Sequence, residues 1–120
     1  MTATRVPCGF GAKDVVASDV RVVRLAPQED GYRREALVLR DEAGTLRVWR
    51  NRCRHLPVLL DAGSHSFVDA RSDDLVCNTH GARYRRSDGV CTWGPCVGKA
   101  LEPVAFEDDG PEMVLLDEGR

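Results

Sequence analysis

Cys53-Arg54-His55 and, further along, Cys77-Asn78-Thr79-His80-Gly81 are the two stretches on which the reading of this chain turns. Each places a thiol and an imidazole on one short loop, one residue apart in the first and two apart in the second. Two thiolates and two imidazoles suit a tetrahedral zinc ion. They also suit a two-iron, two-sulfide centre in which histidines replace two cysteines on one iron. Zinc sites more often use Cys-x-x-Cys or His-x-x-x-His knuckles, so a Cys-x-His pair favours iron.

Charge explains why such a mixed set is useful. Two ferric ions bring six positive charges, two sulfides four negative and two thiolates two more, so the centre is neutral with neutral histidines. Four thiolates would add two negative charges and make the centre resist an electron. Exchanging two for imidazoles raises the potential into a range of roughly −150 to +300 mV. Each imidazole binds through one nitrogen and keeps its other N–H for a partner or for deprotonation, which links electron and proton transfer.

Around these loops the chain is ordinary. Its 120 residues form one expected domain, residues 1–120, long enough for a real core and too short for two catalytic modules. A net charge of −2 argues against general nucleic-acid binding, which needs a basic surface to displace counterions. No apolar run approaches the roughly 20 residues of a membrane span. Residues 1–18 lack an apolar stretch behind a basic start, so a cytoplasmic location is expected. Cys8, Cys91 and Cys96 remain outside the two pairs and read as reduced thiols. The spacing of Cys91 and Cys96 leaves a bridge between them open.

Short β-like runs recur between turn signals, and helical periodicity is hard to find. Candidate strands are Val20–Leu25, Ala36–Arg40, Leu46–Trp49, Asp74–Cys77, Ala82–Arg85 and Met113–Leu116, with a further run at Leu101–Phe106. Asp41-Glu42-Ala43-Gly44 reads as a hairpin turn, Ser87-Asp88-Gly89 as another, and Gly94-Pro95 and Gly98 as further breaks. The pattern predicts an all-β protein, an antiparallel β-sandwich or partly open barrel. Residues of about 52–87 would form a smaller lobe at one end.

With these residues in hand, the chain resembles the Rieske family over about Val20 to Leu116. The resemblance rests on Asn51-Arg52-Cys53-Arg54-His55-Leu56-Pro57, on Cys77-Asn78-Thr79-His80-Gly81-Ala82-Arg83-Tyr84, on Asp88-Gly89, and on Gly94-Pro95-Cys96-Val97-Gly98-Lys99-Ala100-Leu101. It implies a Rieske-type sandwich with one [2Fe-2S] cluster bound in the small lobe. Carried over by position, Cys53 and Cys77 would hold the buried iron and His55 and His80 the outer one. Gly81 would let the backbone turn against the cluster. Cys96 would pack near the cluster without binding it.

The chain also departs from the family. Residues 56–76 make a spacer of 21, longer than usual, which points to a surface insertion over 63–74. The cysteines that bridge the two loops in the cytochrome bc-type proteins are replaced by Val58 and Thr79, and a cluster-bonding serine by Ala82. Tyr84 stands where that class has its cluster-bonding tyrosine. These positions point to the ferredoxin type. His65 reads as an exposed loop residue, and Trp49 and Trp93 as core residues of a small β domain. Arg47, Arg50, Arg52, Arg54, Arg83, Arg85 and Arg86 flank the loops. They read either as solvated strand faces or as a basic collar that steers an acidic partner.

The expected function is that of a one-electron carrier between a reductase and a terminal oxidoreductase such as an oxygenase. The chain offers no two-histidine-one-carboxylate set of its own, so no catalysis is expected. The alternatives are a non-redox assembly or regulatory subunit with a Rieske fold, or a structural zinc site. An iron–sulfur sensor is a further alternative.

Overall fold

The computed structural model describes residues 3–17, 19–26, 34–52, 54, 60, 74–77 and 81–118. Nine strands follow in order among the described residues: β1 (Thr4–Pro7), β2 (Val20–Arg24), β3 (Glu35–Arg40), β4 (Leu46–Arg50), β5 (Leu75–Val76), β6 (Arg83–Tyr84), β7 (Cys91–Trp93), β8 (Ala105–Glu107) and β9 (Val114–Asp117). Among the described residues the one helical element is a single 3-10 turn, Ala12–Asp14. The strands form three antiparallel sheets of three, ordered β1-β9-β8, β2-β3-β4 and β5-β6-β7.

The β2-β3-β4 sheet is the middle layer, and β3 shows why. Successive side chains of a strand point to opposite faces, yet Glu35 to Leu39 are all buried. Leu37 and Leu39 join Trp49, Leu60, Leu75, Cys77, Tyr84 and Leu101 in one core. Ala36 and Val38 join Val23, Val48, Val104, Met113 and Leu115 in the other. A strand covered on both faces is apolar throughout. Burying a leucine such as Leu37 or Leu39 contributes about 1.5–3 kcal/mol. The first of these cores includes Cys77, one of the four candidate ligands.

Most sequence expectations match within one or two residues. Two strands had no readable signal. β1 is largely exposed and pairs with β9 from the other end of the chain, and β7 is three residues long with two exposed. The run Leu101–Phe106 is a regular strand only from Ala105. Ahead of it, Arg50 N–H donates to Glu102 O at 2.8 Å and Val104 N–H to Val48 O at 3.0 Å. This stretch therefore leans on β4 and connects the middle sheet to the β1-β9-β8 sheet.

The expected turn at 41–44 joins β3 and β4. Asp41 organises it, because its carboxylate accepts the Ala43 and Thr45 N–H groups at 2.9 and 3.0 Å and Arg47 Nε–H at 3.1 Å. The Thr45 N–H, followed by Arg47 and the Ala43 N–H, holds the Asp41 carboxyl below the usual carboxylate range. Its stabilising effect is complete above its unfolded pKa of roughly 4 and fades as pH falls through the depressed value. Asp41→Asn is therefore expected to lower the urea midpoint at neutral pH, with the gap to wild type narrowing in acid. A gap that stayed constant with pH would refute this account.

Candidate metal centre

Cys77 follows β5 and is completely buried, in the core that also holds Leu37, Leu39, Leu75 and Ala82. Cys53, His55 and His80 lie outside the described residues, as do Val58, His65, Thr79 and all of 63–74 but Asp74. The frame on either side of these ligand positions is described, and it clips both loops at their bases.

The first loop leaves β4 at Asn51, which is 2% exposed. Asn51 donates its backbone N–H to Glu35 O at 2.9 Å and its side-chain Nδ2–H to Glu35 Oε1 at 3.1 Å. Its Oδ1 accepts the Leu60 N–H at 2.8 Å, so one buried amide closes the loop that spans Cys53 and His55. The second loop is closed by Cys77 N–H to Ala82 O and by Gly81 N–H to Cys77 O, both at 2.8 Å. Tyr84, just beyond it and fully buried, accepts the Arg54 N–H on its hydroxyl at 2.9 Å. Arg54 lies between Cys53 and His55, so this bond draws the two loops together.

This frame fits a cluster with mixed ligands. A soft thiol sits in an apolar core, and hydrogen bonds at Asn51, Cys77 and Tyr84 tie the bases of both loops to that core. Asn51 was quoted in the motif without a role. An Asn at a strand exit, able to accept a backbone N–H on its side chain, was the available signal. Tyr84 bonds to Arg54 N and also lies 3.1 Å from Cys96 Sγ. Cys96 is buried in the same core, as expected.

Two glycines have separate reasons. Gly81 has φ +74, so its backbone conformation, more than space, requires glycine: a Cβ there would meet Trp93 Cζ3 at an ordinary 3.4 Å. Gly94 has φ +110, and a Cβ would sit 2.9 Å from Ala82 Cα. The 94–97 loop thus rests directly on the second ligand loop. Gly94→Ala is expected to cost about 1–3 kcal/mol and to lower the iron content after purification. A variant with unchanged urea midpoint and iron would contradict this.

One expectation is corrected. Trp49 is core and donates Nε1–H to Arg86 O at 3.1 Å, but Trp93 is 59% exposed, beside Gly81. Of the arginines read either as solvated strand faces or as a basic collar, four pair with carboxylates. Arg47 pairs with Asp41, Arg85 with Asp88, and Arg50 and Arg54 share Glu102. An open cleft of about 790 Å³ beside Arg54 also contains Arg34, Arg50, Glu102, Asp117 and Glu118. Its three cations face three carboxylates, so it concentrates no net positive field. Arg52 is exposed, with no carboxylate partner among the described residues.

The chain is 32% identical over 71 residues to oxidoreductase NdmD of Pseudomonas putida, a match that covers 59% of this chain and 11% of that protein. It therefore spans about a tenth of that relative's length. Its fold is similar to the ferredoxin of carbazole 1,9a-dioxygenase from Nocardioides aromaticivorans IC177. There the TM-score is 0.62 at 24% identity, covering 98% of this chain and 100% of that one. It is also similar to the terminal oxygenase of carbazole 1,9a-dioxygenase from Novosphingobium sp. KA1. The TM-score is 0.67 at 21% identity, covering 99% of this chain and 31% of that one. Residues 10–106, most of the chain, match the family model of the Rieske [2Fe-2S] domain. With that match and the all-β fold, this chain belongs to the Rieske [2Fe-2S] domain family, whose cofactor is one [2Fe-2S] cluster.

Proposed function

We propose that this chain is a one-electron carrier that takes electrons from a reductase and delivers them to a terminal oxidoreductase such as an oxygenase. Cys53 and Cys77 hold one iron of its cluster, and His55 and His80 the other. When bound, the cluster accepts and releases one electron at a time. The observation that carries this reading is the Tyr84–Arg54 bond, which brings the two ligand loops over one core. The likeness in fold to the ferredoxin of carbazole 1,9a-dioxygenase supports a carrier. A structure titled as a complex of reduced oxygenase and oxidised ferredoxin has the same fold, at a TM-score of 0.66 and 18% identity, and supports an oxygenase as the partner class. No helix among the described residues is long and apolar enough to cross a membrane, which is consistent with a cytoplasmic carrier. In this reading residues 1–120 act as one domain, and the lobe of about 52–87 holds the cluster.

The residues divide the work. Asn51 closes the base of the first loop, Gly81 turns the second, and Tyr84 ties the first to the strand that follows the second. Trp93 stands exposed beside the second loop, where an incoming partner would meet it.

The test is low-temperature EPR on anaerobically purified protein before and after dithionite, with iron and sulfide assayed on the same sample. A rhombic reduced-state signal typical of mixed Cys/His ligation, with two irons and two sulfides per chain, is expected. A silent sample with stoichiometric zinc would move the chain to the structural class. His55→Cys, if it assembles a cluster, is expected to shift the potential down toward the about −400 mV of all-cysteine centres, because a thiolate adds negative charge. An unchanged potential in the assembled variant would refute His55 as a ligand.

A further inference from the structure

Cys91 and Cys96 take no part in the proposed ligand set, yet the fold brings them together. Cys91 opens β7 and Cys96 lies in the loop after it; they are 1% and 2% exposed. The backbone between them folds back on itself. Gly98 N–H donates to Cys91 O at 3.2 Å, Lys99 N–H to Cys96 O at 2.9 Å, and Cys91 N–H to Lys99 O at 2.7 Å. The two sulfurs stand 3.0 Å apart. The flanking side chains of Trp93 and Val97 are exposed, so the pair lies just under the surface.

Their hydrogen bonds run in one direction. Cys96 donates its S–H to Cys91 Sγ, and Cys91 donates its S–H to Trp93 O at 3.3 Å. The Tyr84 hydroxyl lies 3.1 Å from Cys96 Sγ, a contact in which either atom can donate. Tyr84 in turn accepts the Arg54 N–H at 2.9 Å. The series begins in the first ligand loop and ends at the exposed hairpin, and its last two links require both sulfurs to be protonated thiols.

We propose that Cys91 and Cys96 are a reversible dithiol–disulfide couple, a site of oxidation whose state Tyr84 transmits to the loop carrying Cys53 and His55. The oxidant is a low-molecular-weight disulfide. One cysteine thiolate attacks it and expels a small thiolate; the second cysteine then displaces the other half as the Cys91–Cys96 bond forms. Two S–H bonds and the oxidant's S–S bond are lost, one protein S–S bond and two small-molecule thiols are gained, and two electrons pass to the oxidant. Closure needs the sulfurs to approach by about 1 Å to reach bonding distance. Burial, with Cys96 adding to it, pushes the Cys91 thiol up to about 11, which makes the first attack slow at neutral pH. Once the bond forms, both S–H donors vanish and Tyr84 faces a disulfide sulfur, a poorer acceptor than a thiol. The anchor of the Arg54 amide changes with it.

The coupling to the cluster rests on the ligand assignment proposed above; the thiol chemistry does not. The test equilibrates cluster-bearing protein with stepped ratios of reduced and oxidised glutathione at mildly alkaline pH, then alkylates it and maps the cysteines by mass spectrometry. Visible circular dichroism and iron and sulfide assays are taken on the same samples. Two alkylatable thiols should disappear together, reappear on reduction, and be found as a Cys91–Cys96 link. Neither should bridge in Cys91→Ser or Cys96→Ser. The circular dichroism of the cluster should differ between the two forms of wild type, but not in either serine variant. Tyr84→Phe should still bridge while suppressing the spectral difference. Thiols that stay alkylatable at every ratio with the cluster intact, or that stop at mixed disulfides, overturn the couple. A bridge that forms with no spectral change overturns its link to the cluster. Starting protein without iron and sulfide defeats the ligand assignment alone, since the bridge is still read from the peptide map.

Discussion

Cys77→Ala protein is expected to purify without a cluster, with iron and sulfide reduced at least about 100-fold relative to wild type. Loss even of groups that support ligands costs 10–100-fold in metal affinity, and loss of a ligand itself costs more. The site offers no substitute. Ala82, which packs at the same core position in the second loop, has no donor atom in its side chain. Cys91 and Cys96 are tied to each other and to Tyr84. Cys8 is half-buried against the other core, where burial, and then Glu112, push its thiol up to about 11, so it remains protonated and a poor ligand. Cys8→Ala is therefore the matched control and should retain full iron. The backbone bonds that close the second loop involve no side chain of residue 77, so the variant should still fold, as far-UV circular dichroism would report. Full iron and sulfide in Cys77→Ala would remove Cys77 from the ligand set.

The second large effect lies far from the cluster. Arg34, just before β3, donates Nη1–H and Nη2–H to the two oxygens of Asp117 at the end of β9, at 2.8 and 2.7 Å. Both side chains are about 95% buried, with exposures of 4% and 5%. The pair fastens the middle sheet to the β1-β9-β8 sheet. Asp117→Ala leaves the guanidinium in place without its bidentate acceptor, and breaking a buried pair in this way costs about 3–5 kcal/mol. That is a large part of the 5–15 kcal/mol typical of a domain, so the urea midpoint should fall steeply. Replacing both partners by apolar residues, Arg34→Met with Asp117→Leu, should restore most of the loss, because no charge is then stranded. A loss below about 1 kcal/mol in the single variant, the value of an exposed pair, would show that the pair is solvated in solution.

Some features of the molecule were legible because they are local. The turn at 41–44 needs only Asp41 and the amides that follow it, and it appears as read. The Cys-x-His and Cys-x-x-His pairs are legible for the same reason, and residues 10–106 match the Rieske family. β3 was legible as a strand, but which of its residues faces which core was not, because a strand covered on both faces has no polar side. β1 had no readable signal, because it is mostly exposed and owes its pairing to β9.

By itself the sequence determined an all-β chain, its hairpin turns and the residue types able to hold a two-iron cluster, since each depends on side chains a few positions apart. Only the tertiary structure decided that Trp93 is outside and Trp49 inside, and that the arginines beside the loops are mostly neutralised by Asp41, Asp88 and Glu102. It also decided that Tyr84 would join the Arg54 amide to Cys96 and Cys91. These contacts link residues far apart in the chain, or depend on how a loop folds back, and they are set by how the sheets stack on their shared cores, which no short stretch of sequence encodes.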